Sequence, residues 1–360
     1  LLSSDYKNVA AMRFYKIIIL GLSLAVTFLG KAQQVQVLES GKKVSFRGLS
    51  VVNNQVFWAS GSNGSVVRST DGGKSLQWIP VPGYEKRDFR DIEAFNADTA
   101  VIMAIAEPAV ILKTTDGGKN WRKVFEDTTK GMFLDAMDLY ADNTKMIVVG
   151  DPIQGKLFAA ISWNGGDSWE QIPASNHQED VRKVLDTEAM FASSGTNVKL
   201  INEKDFGTNT ILVTGGSKAR LKDLYRNRFN DSLPMMQGGT STGANSIDYW
   251  STTKSAVIVG GDFAKDTIAR DNCVLVSFKK GKPILSKPSV PPHGYRSCVI
   301  YLNEKELVTC GTSGIDISGD GGQTWTLISK ESFHVVQKAR TGKAIFLVGG
   351  NGRIAQLILP

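Results

Sequence analysis

Ser69-Thr70-Asp71-Gly72-Gly73-Lys74-Ser75-Leu76 is the first of four copies of one short turn motif. The others are Thr114-Thr115-Asp116-Gly117-Gly118-Lys119-Asn120-Trp121, Ser162-Trp163-Asn164-Gly165-Gly166-Asp167-Ser168-Trp169 and Ser318-Gly319-Asp320-Gly321-Gly322-Gln323-Thr324-Trp325. The common form is Ser/Thr-x-Asp-x-Gly-x-x-Trp. Asp71, Asp116 and Asp320, with Asn164 in the third copy, are expected to fold a side-chain oxygen onto the backbone N–H groups of a hairpin turn. Glycine supplies the positive φ that such a turn needs. Trp121, Trp169 and Trp325 then anchor each turn in an apolar layer at the start of the next strand. These residues read as structural.

A second pattern precedes the turns: an aromatic or small residue opening a strand, a polar turn, then an apolar strand ending in glycine or another small residue. It begins at Phe46, Phe89, Phe133, Phe191, Ala244, Tyr295 and Phe333, at spacings of 43, 44, 58, 53, 51 and 38 residues. Seven units of this size, each with room for about four short strands, predict an all-β seven-bladed β-propeller. The last unit has room for three strands only. Val35–Glu39 is expected to supply its fourth and so close the ring, which removes an open edge. Units four and five lack the turn motif and read as carrying insertions near Asn202–Asn209 and Arg226–Thr242.

The 360 residues carry a net charge of +7. Met12–Lys16 is a basic stretch, Ile17–Gly30 is apolar, and Gly30-Lys31-Ala32 places small residues at a cleavage site. Residues 1–32 therefore read as an upstream extension plus a secretory signal peptide, Met12–Ala32, and 33–360 as one exported domain, periplasmic or extracellular. The apolar run is too short to span a membrane. Losing Lys7, Arg13, Lys16 and Lys31 with Asp5 leaves +4, spread along the chain, so nucleic acid is not an expected partner. The densest basic run, Lys218, Arg220, Lys222, Arg226 and Arg228, reads as a solvated connection. Of three cysteines, Cys298 and Cys310 are equidistant from Glu304 in an expected hairpin. They would face each other, as a disulfide or as two buried thiols. Three histidines, His177, His293 and His334, offer little for a metal site, and no cofactor motif is present.

Propeller geometry brings the start of each first strand and the end of each second strand to the mouth of the central channel. Arg47, Arg90 and Arg296 each follow an aromatic at the first position, with His334 in the same place in the last unit. Three guanidiniums there would favour a carboxylate or phosphate. The carboxylates Asp91, Asp135, Glu107, Asp151 and Asp262 fall nearby, either as a site or as ion pairs between blades. Asp91, Asp135, Glu107 and Asp151 are the catalytic candidates if the protein is an enzyme.

With the turns, the seven units and the Phe-Arg starts, the chain resembles the Asp-box, or BNR-repeat, β-propellers. Within them it looks most like the photosystem II stability/assembly factor-like branch, over about Gln34–Leu359. That resemblance implies a non-catalytic module whose arginine-bearing face binds a protein partner during complex assembly. The alternative is a glycoside hydrolase of sialidase-like or xyloglucanase-like type acting on a glycan at the mouth. Phe46-Arg47-Gly48-Leu49 is similar to the sialidase Phe-Arg-Ile-Pro motif but lacks its Ile and Pro. A monomer without cofactor or metal is expected on either reading.

Overall fold

The computed structural model describes residues 33–140, 142–172, 180, 182–203, 207–224 and 228–359. The signal-peptide reading at Met12–Ala32, His177 and Arg226 lie outside them. The body Val35–Ile358 consists of seven small antiparallel sheets arranged in a ring; of the small unit 1–34 and 359–360, only Gln33, Gln34 and Leu359 are described.

The first blade is typical. Phe46–Val51 pairs with Phe57–Gly61, which pairs with Val66–Ser69, which pairs with the outer strand Gln77–Ile79. Inner strands of the other blades are Phe89–Ala94, Leu134–Leu139, Val198–Glu203, Thr242–Trp250, Cys298–Tyr301 and Val335–Lys338. Side chains on a strand alternate between its two faces, so every blade buries both faces against its neighbours. The apolar clusters sit between blades, for example Trp58, Val66 and Ile79 of the first against Ile92, Ile102 and Leu112 of the second. In the seventh sheet the order is Val335–Lys338, Ile345–Val348, Ile354–Ile358 and then Gln34–Glu39. The N-terminal strand does complete that blade.

The four turn motifs join third to fourth strands and share one hydrogen-bond scheme. Asp71 Oδ1 accepts Ser75 N–H at 2.9 Å, and Ser69 Oγ accepts Gly73 N–H at 2.8 Å while donating to the carboxylate. Asp116, Asn164 and Asp320 repeat it at 2.9, 3.0 and 2.9 Å to the residue four positions on. These bonds hold the carboxyls of Asp71 and Asp116 down at about 2. Trp325 is buried; Trp121 and Trp169 are half-buried.

Two sequence readings are corrected. The fourth blade does not begin at Phe191: its inner strand starts at Val198, and Asn202–Asn209 spans its first hairpin, Val198–Glu203 with Gly207–Val213, so that it is no insertion. The extra length precedes the blade. The basic run is not a solvated connection either, because Arg220–Asp223 is a strand and the Lys222 side chain is fully buried, 3.4 Å from Glu188.

Candidate functional site

Inner strands are bulged near their start. Pairing slips by one residue between Phe46 and Gly48, Phe89 and Asp91, Leu134 and Ala136, and Ala244 and Ser246. The extra residue in each is Arg47, Arg90, Asp135 and Asn245. Ser297 and His334 occupy the same place in the sixth and seventh blades, their N–H groups reaching Cys310 and Val348 carbonyls at 2.9 and 2.8 Å. A bulge bends the strand and re-aims its extra side chain. Here that turns Arg47 and Arg90 to the same channel-crossing segment.

That segment is Ala192–Asn197, the residues leading into the fourth blade. Arg47 Nη1 donates to the Ser193 carbonyl and Arg90 Nη1 to the Ala192 carbonyl, each at 3.3 Å. Ser193 Oγ donates to Asn245 at 2.9 Å, Ser194 Oγ to the Ser297 carbonyl at 2.6 Å, and Thr196 Oγ1 to Ser246 at 2.7 Å. Gly195 has φ +68°, and a Cβ there would lie 2.4 Å from the Asp91 carboxylate. The channel is thus plugged by small polar residues bonded to four other blades.

Electrostatics at the mouth follow from crowding. Burial first, and then the neighbouring Arg90 charge, lower the pKa of Arg47, although a guanidinium stays cationic at any working pH. Arg90 Nε is 2.9 Å from Asp88. His334 is pushed down to about 4 by burial and by the Arg47 charge, so it is neutral at pH 7. Its Nδ1, 2.9 Å from the Phe46 carbonyl, is the ring donor in that neutral form. Both guanidiniums keep N–H groups beyond those bonded within the described residues.

Arg296 is not part of this pair. It is fully buried, with Nε 2.7 Å from Asp316 Oδ2 and Nη1 2.7 Å from Ser313 Oγ. A Cβ on Gly311 would meet the Tyr295 carbonyl and Arg296 Cα, as one on Gly61 would meet the Ser45 carbonyl and Phe46 Cα. Arg296 therefore holds the Phe46 position and Ser297 the Arg47 position. One residue of register moves a strand side chain to the other face.

The four carboxylates proposed for catalysis are each engaged separately, although Asp135 and Asp151 lie within each other's field. Asp91 accepts the N–H groups of Ile92 and Met137 at 2.8 and 2.6 Å. Glu107 is exposed and accepts Gly131 N–H. Asp151 accepts Met190 N–H at 3.1 Å, and burial raises its pKa. Asp135 is wholly buried and lacks a well-formed hydrogen bond; burial, then Asp151, hold its pKa well above the usual range. Asp262, the fifth mouth carboxylate, accepts Ser241 Oγ and Ala264 N–H at 2.7 and 3.0 Å. None pairs with Arg47 or Arg90, so the expectation of Arg–Asp ion pairs between blades fails for this set. What Asp91 does instead is general to the ring. An inner strand has an unpaired edge facing the channel, and a buried N–H there needs an acceptor. Ser50, Asp91, Asp138, Ser246 and Asp248 each accept such an N–H from the next blade, at Ala94, Met137, Leu200, Val299 and Tyr301.

The far side of the plug holds a charged cavity that the sequence reading missed. It measures about 110 Å3 and is lined by Asp91, Glu93, Asp138, Lys199 and Arg340, among others. Lys199 Nζ lies 3.6 Å from Asp138 and 3.5 Å from Asp248, whose charges outweigh burial and raise its pKa. Burial raises Glu93 to about 7 against the pull of Arg340, 3.5 Å away. The available signal was a polar or charged residue at one register of the inner strands: Ser50 opposite Trp58, Glu93 opposite Val101, Asp138 opposite Ile147, Asp248 opposite Val257. Among the described residues no cluster of His, Cys, Asp or Glu could hold a metal ion, and no helix is long and apolar enough to cross a membrane.

The fold is similar to that of YCF48 bound to D1 peptide, with a TM-score of 0.61 at 15% identity over 94% of this chain and 100% of that one. It is likewise similar to YCF48 from Cyanidioschyzon merolae, with a TM-score of 0.59 at 16% identity over 90% and 98% of the two chains. No family model matches the chain. No curated protein matches it.

Proposed function

We propose that this chain is a non-catalytic, exported propeller that binds a protein partner as a complex-assembly module, in the manner of a photosystem II assembly factor. One observation carries the reading: Arg47 and Arg90, on adjacent blades, turn to the same end of the channel, where among the described residues only the Asp88 carboxylate pairs with either, and both keep spare donors. Fixed guanidinium forks of this kind suit a carboxylate. The ligand we assign is a carboxylate-bearing peptide segment of a partner protein. The D1 peptide bound to one YCF48 structure of the same fold supports a peptide ligand. The leader-like Met12–Ala32 supports export to the periplasm or beyond.

The plug argues against deep entry of a substrate, because a glycosidase needs two carboxyl groups flanking an open cleft. The deciding experiment is titration calorimetry of the folded protein with acidic peptides, as free acids and as amides. An Arg47→Ala/Arg90→Ala variant should lose roughly tenfold or more in affinity, since each lost charge-assisted bond is worth about 1.5–3 kcal/mol. Affinity unchanged in the variant would overturn the reading. Turnover of aryl-glycosides or sialosides, lost in that same variant, would replace it with the hydrolase.

A further inference from the structure

Phe263 is the one exposed aromatic on a turn that follows a second strand: among the described residues, the corresponding turns of the other six blades contain no aromatic residue. About half of its surface faces solvent. The turn holding it is braced. Phe263 N–H donates to the Ser241 carbonyl at 3.1 Å, and Asp262 Oδ1 accepts both Ser241 Oγ at 2.7 Å and Ala264 N–H at 3.0 Å. Its ring meets Phe191 edge-on at 5.7 Å and Tyr295 at 6.3 Å.

Those two neighbours tie it to the arginine pair. Phe191 immediately precedes the plug that Arg47 and Arg90 grip, and its carbonyl accepts Asn197 Nδ2 at 3.0 Å. The Tyr295 hydroxyl donates to Asn245, which also takes Ser193 of the plug, and Tyr295 lies within the field of Arg47. A rigid, half-exposed ring near the largely buried Arg47 guanidinium is the composition of a binding hot spot. The ring loses little entropy on contact, and the charge fixes the ligand's orientation.

We propose that Phe263, backed by Phe191 and Tyr295, forms an apolar subsite that selects a partner peptide with a large aliphatic or aromatic side chain next to the carboxylate taken by Arg47 and Arg90. This rests on the function proposed above and adds its sequence preference.

The test uses the folded protein and acidic decapeptides of two kinds, one with the carboxylate at the chain end and one with an internal Asp. In each kind the flanking residue is Leu, Phe or Gly. Wild type should bind the Leu and Phe peptides about tenfold more tightly than the Gly peptides. Phe263→Ala should abolish that preference while leaving Gly-peptide affinity unchanged, and Phe263→Leu should restore most of it. Arg-dependent binding without a preference, or a preference that survives Phe263→Ala, overturns the subsite and spares the function. Absence of Arg-dependent binding to every peptide overturns both.

Discussion

Arg296 and Asp316 form an ion pair with no exposed surface on either side chain, Nε to Oδ2 at 2.7 Å. His293 Nδ1 is bonded to the same carboxylate, to Oδ1 at 2.7 Å. Removing one partner of such a pair strands a buried charge, at a cost of about 3–5 kcal/mol. Arg296→Met and Asp316→Asn should each lower stability by that order in urea unfolding. Arg47→Ala, at a partly buried guanidinium whose charge is not paired to a carboxylate, should cost less, about 1 kcal/mol. Equal losses at Arg47 and Arg296 would undo the division of the three arginines into two ligand-facing and one structural.

Glu93 makes stability pH-dependent in a stated direction. Burial raises its pKa from 4.5 to about 7, so the folded state holds a proton that the unfolded chain releases. That contribution is complete below about pH 4.5 and is lost as pH rises through 7. His334 acts oppositely: its pKa falls from 6.5 to about 4, so stability grows with pH across that interval. Comparison with Glu93→Gln separates the two. The variant should gain on wild type between pH 5 and 8, by a few kcal/mol at most. Parallel stability curves would show that Glu93 titrates normally in the folded protein.

Cys298 and Cys310 are cross-strand partners, both wholly buried and both thiols in the structure. Cys298 Sγ donates to the Val336 carbonyl at 3.3 Å. Neither thiol has any surface open to solvent or to an oxidant, so the folded protein should resist oxidation. Refolding in oxidised glutathione should behave differently. Each thiol gives up a hydrogen, one disulfide forms, and one glutathione disulfide is reduced to two thiols. A non-reducing peptide map should show the 298–310 crosslink only in the refolded sample, with stability raised by about 2–3 kcal/mol. Crosslinking that is equally fast in the folded protein would contradict the burial argument.

The ring was legible in the sequence because its signals are local. Each turn motif closes on its own hydroxyl and its own Asp or Asn within seven residues, and a Gly or Ala lies at or near the end of each second strand, as at Gly61, Ala104, Gly150 and Gly311. The mouth was half legible. Phe46-Arg47 and Phe89-Arg90 identify bulged positions correctly, but Tyr295-Arg296 imitates them one residue out of register. Only the fit of Gly311 onto Arg296 Cα separates the two cases, and that is a tertiary contact. The plug was hidden for a related reason. Ala192-Ser193-Ser194-Gly195-Thr196 has the composition of a loop, and its burial depends on partners up to 146 residues away. Asp91 read as a possible catalyst because the sequence does not reveal the orphan N–H of Met137 that it satisfies.

Ring closure gives the last prediction. The strand Gln34–Glu39 completes the sheet that ends in Ile354–Ile358, and so joins the two ends of the domain. Leu38 reaches the first blade, where a Cβ on Gly73 would meet it at 2.6 Å, and Phe57 of that blade packs on Phe346 of the seventh at 4.3 Å. Deleting residues through Glu39 removes one strand of four from this blade. It also exposes Ile354–Ile358 as an unpaired edge, the arrangement that invites strand pairing between molecules. The deletion should lower the melting temperature by about 5 °C or more and produce concentration-dependent aggregation in light scattering. Leu38→Ala, which keeps the backbone pairing, should cost only about 1–2 kcal/mol and leave the protein monodisperse. A deletion variant as stable and monodisperse as the full chain would mean that the seventh blade stands on three strands, with contacts such as Phe57 on Phe346 and His334 on the Phe46 carbonyl sufficient to hold the first and seventh blades together.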